Sequence, residues 1–167
     1  MKTIMYMTMS ANGMIARGDD ETPWSEESWE SMKKVARSCK VMIIGRRTYE
    51  IMLGADEFRK IGNPYTIVIS KESIRRRENF AFVNNITAAM NAAKRTKAKK
   101  VLIGGGCMTN SSFLDRNLVD EIQLDIEPIV IGSGIKLFDG NFESRLKLVK
   151  ATKISKNVVH LKYRVIK

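Results

Sequence analysis

The sequence predicts an α/β domain built on a mixed sheet, and three observations support this prediction. Short uninterrupted apolar runs, such as Val41–Ile44 and Tyr65–Ile69, are typical of central strands that are covered on both faces. Segments with helical periodicity alternate with these runs, as they do in α/β proteins. The chain then ends in two long stretches, 146–154 and 158–166, which predict an antiparallel hairpin. We expect one domain over 1–167, since this length can bury a single core.

The first half of the chain contains strands, loops and one clear helix. Residues 2–10 place apolar side chains at alternate positions, which predicts a strand. Ser25 is a good N-cap, and apolar residues at spacings of three and four predict a helix from there to Cys39. A short helix is predicted over 49–53, and the segment 55–64 is expected to be a loop or a broken helix.

The second half continues the alternation. A short strand is predicted over 80–83, an amphipathic helix over 86–97 and a second helix over 107–117. The segment 121–127 predicts a strand, which a proline closes. We expect residues 129–138 to form a loop that folds back onto the sheet.

The chain is strongly basic, with 29 Lys and Arg against 18 Asp and Glu and a net charge of +11. Such a surface attracts anions, so both nucleic acid and an anionic cofactor must be considered as partners. The excess charge is concentrated in Arg75–Arg77 and Lys94–Lys100, where no aromatic residues alternate with the basic ones. This pattern favours a solvated basic face over a nucleic-acid interface. No apolar run approaches the ~20 residues of a membrane span, so no membrane partner is expected.

Metal binding is not expected. Cys39 and Cys107 are the two cysteines, His160 is the one histidine, and their positions lack the spacing of metal ligands. A reducing, cytoplasmic location is the corresponding expectation.

Two strand ends predict a site for phosphate. The apolar run Val101–Ile103 predicts a buried strand, and Gly104–Gly106 ends this strand before the next helix. Glycines let the backbone approach a ligand, and free N–H groups at a helix start attract an anion. The strand Val41–Ile44 ends similarly in Gly45–Thr48, which contains two arginines. A plain turn and surface arginines are the alternatives, but together the two ends indicate one phosphate-bearing ligand at the carboxyl edge of the sheet.

Five motifs in chain order resemble those of the dihydrofolate reductase superfamily, which includes the dihydrofolate reductases and the reductase domains of riboflavin biosynthesis. They are Asn12–Ala16, Pro23-Trp24, Gly45–Glu50, Ile69-Ser70 and Ile103–Gly106. The segment from Glu127 to Phe138 is more similar to the riboflavin-type branch. The resemblance implies an eight-stranded, mostly parallel sheet with about four flanking helices and an antiparallel C-terminal hairpin. It also implies NADPH as the hydride donor.

The resemblance assigns the cofactor to the motif residues. Arg46, Arg47 and Thr48 would hold its adenosine phosphates, and Ser70 and Lys71 would lie near the 2′-phosphate. The implied cofactor-binding residues are Ile15, Ala16, Gly45, Arg46, Arg47, Thr48, Ser70, Lys71, Ile103, Gly104, Gly105, Gly106, Cys107 and Met108. The family also implies a cis peptide bond between Gly104 and Gly105.

The substrate side is expected to be a flat apolar slot beside the nicotinamide. Hydride transfer needs the two carbons within about 3–3.5 Å of each other in a pocket that excludes water. The loop 14–24 could act as a lid. The expected lining residues are Tyr6, Met7, Thr8, Trp24, Trp29, Met32 and Met52.

The source of the proton is an open question in this sequence. Dihydrofolate reductases place a carboxylate in the first helix, and that position holds Ser28 or Trp29 here. We expect the proton to come from water held by Thr8, or from Glu27 or Glu30. Solvent-facing helix charges are the alternative for the two glutamates.

The leading hypothesis from the sequence is an NADPH-dependent reductase of a dihydrofolate-like pterin. The alternative is reduction of a ribosylamino-pyrimidine phosphate, although Ile103 replaces a glutamate that is common in the riboflavin-type branch. A basic nucleic-acid-binding protein and a cofactor-binding relative without catalysis are further alternatives. Both a monomer and a homodimer are compatible with the resemblance.

Overall fold

The computed structural model describes residues 1–72 and 77–167, which form ten strands and five helices. The strands are β1 (Lys2–Ser10), β2 (Met14–Arg17), β3 (Val41–Gly45), β4 (Tyr65–Ile69), β5 (Phe80–Val83), β6 (Lys100–Ile103), β7 (Glu121–Glu127), β8 (Gly134–Lys136), β9 (Arg145–Lys153) and β10 (Val159–Ile166). The helices are α1 (Glu26–Cys39), α2 (Arg46–Gly54), α3 (Glu57–Lys60), α4 (Ile86–Arg95) and α5 (Cys107–Asp115).

Eight strands form one sheet in the order β5-β4-β3-β6-β1-β7-β10-β9. The first six in this order run parallel to their neighbours, whereas β10 is antiparallel to both β7 and β9. This arrangement confirms the predicted mixed, mostly parallel sheet and its antiparallel C-terminal hairpin. β2 and β8 pair separately as a two-stranded antiparallel ribbon.

Each face of the sheet has its own apolar core, and β1 contributes to both. Met5 belongs to the core that includes Phe113 of α5, while Ile4 and Tyr6 belong to the core that includes Ala36 of α1. The alternation of side chains along β1 therefore supplies both cores, as the strand periodicity predicts.

The observed elements differ from the predicted ones mainly at their ends. α2 begins at Arg46 instead of residue 49, because helical geometry starts directly after the glycine that ends β3. The expected return loop 129–138 contains β8, which pairs with β2, and the segment 55–64 contains the short helix α3. α3 brings the helix count of the described residues to five instead of about four.

The basic clusters have exposed residues where the structure describes them. Arg77 is exposed, and so are the lysines between Lys94 and Lys100, as expected for a solvated basic face. Arg75 and Arg76 lie outside the described residues. Among the residues that the structure covers, no helix is long and apolar enough to cross a membrane. The same residues contain no metal-binding group of His, Cys, Asp and Glu.

Candidate active site

A cavity of about 640 Å³ lies at the carboxyl ends of four parallel strands. Its lining includes Thr8 of β1, Gly45 at the end of β3, Ile69 at the end of β4 and Gly104 after β6. Open α/β sheets bind ligands at this edge, where strands end and the following helices begin. The cavity therefore occupies the edge that the two glycine-containing motifs indicate.

Two helices begin at one end of the cavity. α2 starts at Arg46 and α5 at Cys107, and no side chain of the described residues caps either N-terminus. The free N–H groups of a first helical turn, together with the positive end of the helix dipole, attract anions. Both helix starts line the cavity, so this end is suited to phosphate groups.

Close backbone packing brings these two helix starts together. The Gly45 N–H donates to the carbonyl oxygen of Gly105 at 2.9 Å, and a Cβ on Gly45 would lie 2.8 Å from Thr109 Oγ1. Gly105 has φ +90°, a conformation that other residues rarely adopt. The cis peptide bond joins Gly105 and Gly106, one bond later than the Gly104–Gly105 bond that the family resemblance implies.

The two arginines at the start of α2 are bound by carboxylates at the cavity rim. Arg46 Nη1 lies 2.7 Å from Glu72 Oε2, and Arg47 Nε and Nη2 lie 2.9 and 2.7 Å from Asp20 Oδ2. The Arg46 and Arg47 side chains are 42% and 65% exposed. Exposed ion pairs contribute only about 0–1 kcal/mol. A phosphate with two negative charges can therefore replace these carboxylates at low energetic cost.

The structure brings most of the expected cofactor residues to this cavity. They are Ile15, Ala16, Gly45, Arg46, Arg47, Thr48, Lys71, Gly104, Gly106, Cys107 and Met108. Three expected residues lie behind the wall instead. Ile103 is completely buried in the core, Gly105 is packed against Met7, and the Ser70 hydroxyl is bonded to the backbone of Glu72. Contrary to the expectation, these three residues do not line the cavity. Ile103 faces the core from the end of β6, whereas Ser70 and Gly105 lie in the turns after β4 and β6 and pack against neighbouring residues.

The other end of the cavity is lined mainly by apolar side chains. It contains every residue that the sequence analysis assigned to the substrate slot, namely Tyr6, Met7, Thr8, Trp24, Trp29, Met32 and Met52. Ser28 also lies in this wall. Trp24 belongs to the loop before α1, while Trp29 and Met32 lie on one face of that helix.

Two carboxylates that the sequence analysis did not single out are buried behind this wall, on β7. Asp125 is completely buried, and the Tyr6 hydroxyl donates a hydrogen bond to it. Asp125 Oδ1 also lies 2.5 Å from Nδ1 of His160 on β10. Burial, followed by the nearby charge of Asp125, raises the pKa of Tyr6 far above its usual range. Tyr6 therefore keeps its proton at physiological pH.

Glu127, the second carboxylate, holds the start of α1. Its Oε1 accepts hydrogen bonds from Ser25 N at 2.9 Å, Ser25 Oγ at 2.6 Å and Ser28 Oγ at 2.6 Å. Ser25 is also the N-cap of the helix, as predicted. A signal for both carboxylates exists in the sequence, since Glu121, Gln123, Asp125 and Glu127 alternate along β7 and must share one face of the strand.

Glu27 and Glu30 lie away from this cavity. They line a second groove of about 710 Å³, between α1 and the strands β7, β9 and β10. Glu30 binds Lys33 Nζ at 2.6 Å, and this hydrogen bond holds the pKa of Glu30 below its usual value. The geometry does not support either glutamate as a proton donor, because α1 turns Trp29 and Met32, and not these residues, toward the cavity.

Several residues of the cavity were not identified in the sequence. Glu57 of α3 is one, and burial raises the pKa of its carboxyl group. Among the described residues it forms no ion pair. The others are Asp20, Thr22, Ile51, Ile69, Ile86, Thr109, Ser112 and Ile135. They come from loops, from helix faces and from the strands β4 and β8, and local sequence patterns do not specify which of these positions will face the cavity.

Several known proteins are similar to this chain. It is 28% identical to the uncharacterized protein YwjB of Bacillus subtilis over 97% of each chain. A pyrimidine reductase-like protein from Corynebacterium diphtheriae has a similar fold, with a TM-score of 0.79 at 16% identity over 99% of this chain and 92% of the other. A dihydrofolate reductase from Enterococcus faecalis, complexed with NADP(H) and RAB-propyl, gives a TM-score of 0.77 at 14% identity over 99% and 97% of the two chains.

These structural similarities confirm the dihydrofolate-reductase-like fold. The family model described as the RibD C-terminal domain matches residues 1–160, which is nearly the whole chain. This protein therefore belongs to the RibD C-terminal domain family.

Proposed function

We propose that the protein is an NADPH-dependent reductase that transfers a hydride to a ribosylamino-pyrimidine phosphate or a closely related heterocycle. One observation carries the proposal. A single cavity joins an end made by two uncapped helix starts and two arginines, which we call the anion-binding end, to an apolar end lined by two tryptophans. A dinucleotide and a planar acceptor need this combination of surfaces.

The residues at the anion-binding end fit NADPH. The uncapped N–H groups at the starts of α2 and α5 can donate to phosphate oxygens, and the glycines Gly45 and Gly105 allow the close packing that brings these two helix starts together. Arg46 and Arg47 offer forked hydrogen bonds to a phosphate once they release their rim carboxylates. When bound, the cofactor supplies the hydride. Ile15 and Ala16 of β2 border the cavity where they can position its ring.

The apolar end can hold a planar ring and exclude water from it. Trp24, Trp29, Met32 and Met52 offer flat or adaptable apolar surfaces to both sides of a heterocycle. Exclusion of water strengthens the electrostatic interactions of the reacting atoms. Thr8 is placed in the same wall, where its hydroxyl can hold a water molecule that delivers the proton.

The membership in the RibD C-terminal domain family favours a pyrimidine substrate over dihydrofolate. The net charge of +11 also suits a phosphorylated substrate. In addition, either Ser28 or Trp29 occupies the helix position that holds a carboxylate in dihydrofolate reductases, and both residues line the cavity. The dihydrofolate hypothesis therefore has less support than the alternative.

A direct activity assay tests the proposal. Purified protein is incubated with NADPH and either a ribosylamino-pyrimidine phosphate or dihydrofolate, and the loss of nicotinamide absorbance is followed. We expect turnover with the pyrimidine and little or none with the folate. The double variant Arg46→Ala/Arg47→Ala serves as the control for contaminating reductases, since it should lose the activity. Faster reduction of dihydrofolate would reject the pyrimidine assignment, and no turnover with either substrate would reject both.

A further inference from the structure

The cavity contains a half-buried carboxylate that the fold itself does not use. Glu57, the first residue of α3, lines the cavity wall. Among the described residues its carboxylate forms no ion pair. A negative group that is half-buried without a cation is typical of a site that receives a ligand.

The cations next to Glu57 in the chain are bound to other groups. Arg59 Nε lies 2.7 Å from Asp56 Oδ2, and Lys60 Nζ donates to the Ala55 carbonyl oxygen at 3.0 Å. Neither cation lines the cavity. Burial raises the pKa of Glu57, and the charge of Lys60 opposes this rise. The carboxylate oxygens of Glu57 therefore remain available to a ligand in the cavity.

Helix α2 separates Glu57 from the anion-binding end. The helix begins at Arg46, and a rise of about 1.5 Å per residue carries the chain roughly 12 Å away by Gly54. Ile51 and Met52, near the end of this helix, line the cavity, and α3 begins three residues after the helix ends. Glu57 therefore belongs to the apolar end of the cavity.

The cations of the cavity lie at the opposite end. Arg46 and Arg47 begin α2, and Lys71 directly precedes Glu72, which binds Arg46. Among the described residues, no Lys or Arg lines the apolar end. An anionic group placed there would meet the negative charge of Glu57 with no cation in the wall to balance it.

A hydroxyl group suits this position better than an anion does. It can donate a charge-assisted hydrogen bond to a carboxylate, and two neighbouring hydroxyls can each donate to one of its oxygens. Carboxylates bind the ribose of dinucleotides through such bonds. In a ribosylamino-pyrimidine, the sugar hydroxyls are donors of this kind close to the ring.

We propose that Glu57 binds the sugar hydroxyls of the substrate while Trp29 and Met32 contact its ring. This inference deepens the proposed function and rests on it for the location of the ring. A phosphate on the same sugar then points away from Glu57. Dihydrofolate carries an anionic glutamate tail, which Glu57 would repel, so this residue also favours the pyrimidine over the folate.

The test measures by calorimetry how tightly two nucleosides bind, with and without saturating NADPH. Uridine carries hydroxyls at the 2′ and 3′ positions of its sugar, and 2′,3′-dideoxyuridine lacks both. We expect the intact protein to bind uridine about tenfold more tightly, the effect of a charge-assisted hydrogen bond. Glu57→Gln should reduce this preference to about threefold, and Glu57→Ala should abolish it. The affinity for 2′,3′-dideoxyuridine should change little in either variant, whereas a general disturbance of the cavity would weaken both nucleosides.

Asp56→Asn is the matched control, because it removes one negative charge from the adjacent residue, which binds Arg59 and does not line the cavity. Asn also tolerates the left-handed backbone of this position, where φ is 54°. Its preference for uridine should equal that of the intact protein.

Three results would overturn the inference: equal affinity for the two nucleosides, no binding of either one, or an unchanged preference in both Glu57 variants. A preference that depends on Glu57, in a protein that does not oxidise NADPH with a ribosylamino-pyrimidine phosphate, would instead reject the proposed function.

Discussion

The two ends of the cavity are built in opposite ways. The anion-binding end comes from contiguous motifs at the ends of β3 and β6, and its charged side chains are exposed at the rim. The apolar end is assembled from distant parts of the chain, since Tyr6 and Asp125 are 119 residues apart and Ser28 and Glu127 are 99 apart. The carboxylates of the apolar end, Asp125 and Glu127, are buried. In the proposed function, anion recognition would depend on backbone N–H groups and solvated charges, whereas the wall of the apolar end is stabilised by a desolvated polar network.

This contrast implies very different costs for removing a carboxylate at each end. Asp125→Ala should lower the free energy of unfolding by about 3–5 kcal/mol, because it leaves Tyr6 and His160 without their buried partner. Asp20→Ala, which removes the half-buried partner of the exposed Arg47, should cost less than about 1 kcal/mol. Urea denaturation of both variants measures the difference. Similar losses would show that the two ends do not differ in this way.

The exposed arginines at the start of α2 should contribute to NADPH binding and not to the stability of the fold. Arg46→Ala/Arg47→Ala should weaken NADPH binding by about 30-fold to 100-fold, since charge-assisted hydrogen bonds contribute about 1.5–3 kcal/mol. NADH binding should weaken far less because NADH lacks the 2′-phosphate. Fluorescence titration of both dinucleotides measures this. Arg59→Ala, an exposed arginine paired with Asp56, is the control. Equal losses for NADPH and NADH would argue against a role in holding the 2′-phosphate.

The glycine at the end of β3 allows a sharper test of the anion-binding end. Gly45→Ala should destabilise the fold by about 1–3 kcal/mol, because the added Cβ would lie 2.8 Å from Thr109 Oγ1. The double variant Gly45→Ala/Thr109→Ala should recover part of that loss, since it removes the clashing atom. The Tm values of the single and double variants measure this recovery. An absence of recovery would mean that the close approach of the two helix starts is not what requires this glycine.

The smallest effect is expected at Glu57, the cavity carboxylate of α3. Burial raises the pKa of Glu57, so the charged form is less favourable in the folded than in the unfolded protein. Its destabilising effect is absent at a pH below the unfolded pKa and grows as the pH rises through the folded pKa. Glu57→Gln should therefore raise Tm by about 1–3 °C at neutral pH and by less in acid. A stabilisation that is equal or larger in acid would contradict this interpretation.

The two ends of the cavity also differ in how well the sequence predicts them. Gly45–Thr48 and Gly104–Gly106 are each contiguous, so their chemistry can be identified without knowing how the chain folds. The wall of the apolar end is harder to predict, because its residues are distant in the sequence. Apolar spacing placed Trp29 and Met32 correctly, but Glu27 and Glu30 on the same helix line the second groove. Helical periodicity defines faces and does not say which cavity each face will meet.

The buried carboxylates show most clearly where sequence reasoning ends. Polar residues at alternate positions of β7 predict one polar face, yet in a typical sheet such a face is solvated. Only the tertiary structure shows that α1 covers Asp125 and Glu127 and that Tyr6, Ser28 and His160 satisfy them. The sequence alone determined the strands of the main sheet, the main helices, the mixed sheet and the two glycine-containing motifs, because these depend on local periodicity and on neighbouring residues. Tertiary packing decided the order of the strands, the direction of each helix face and the hydrogen-bonded wall, because these depend on contacts between residues far apart in the chain.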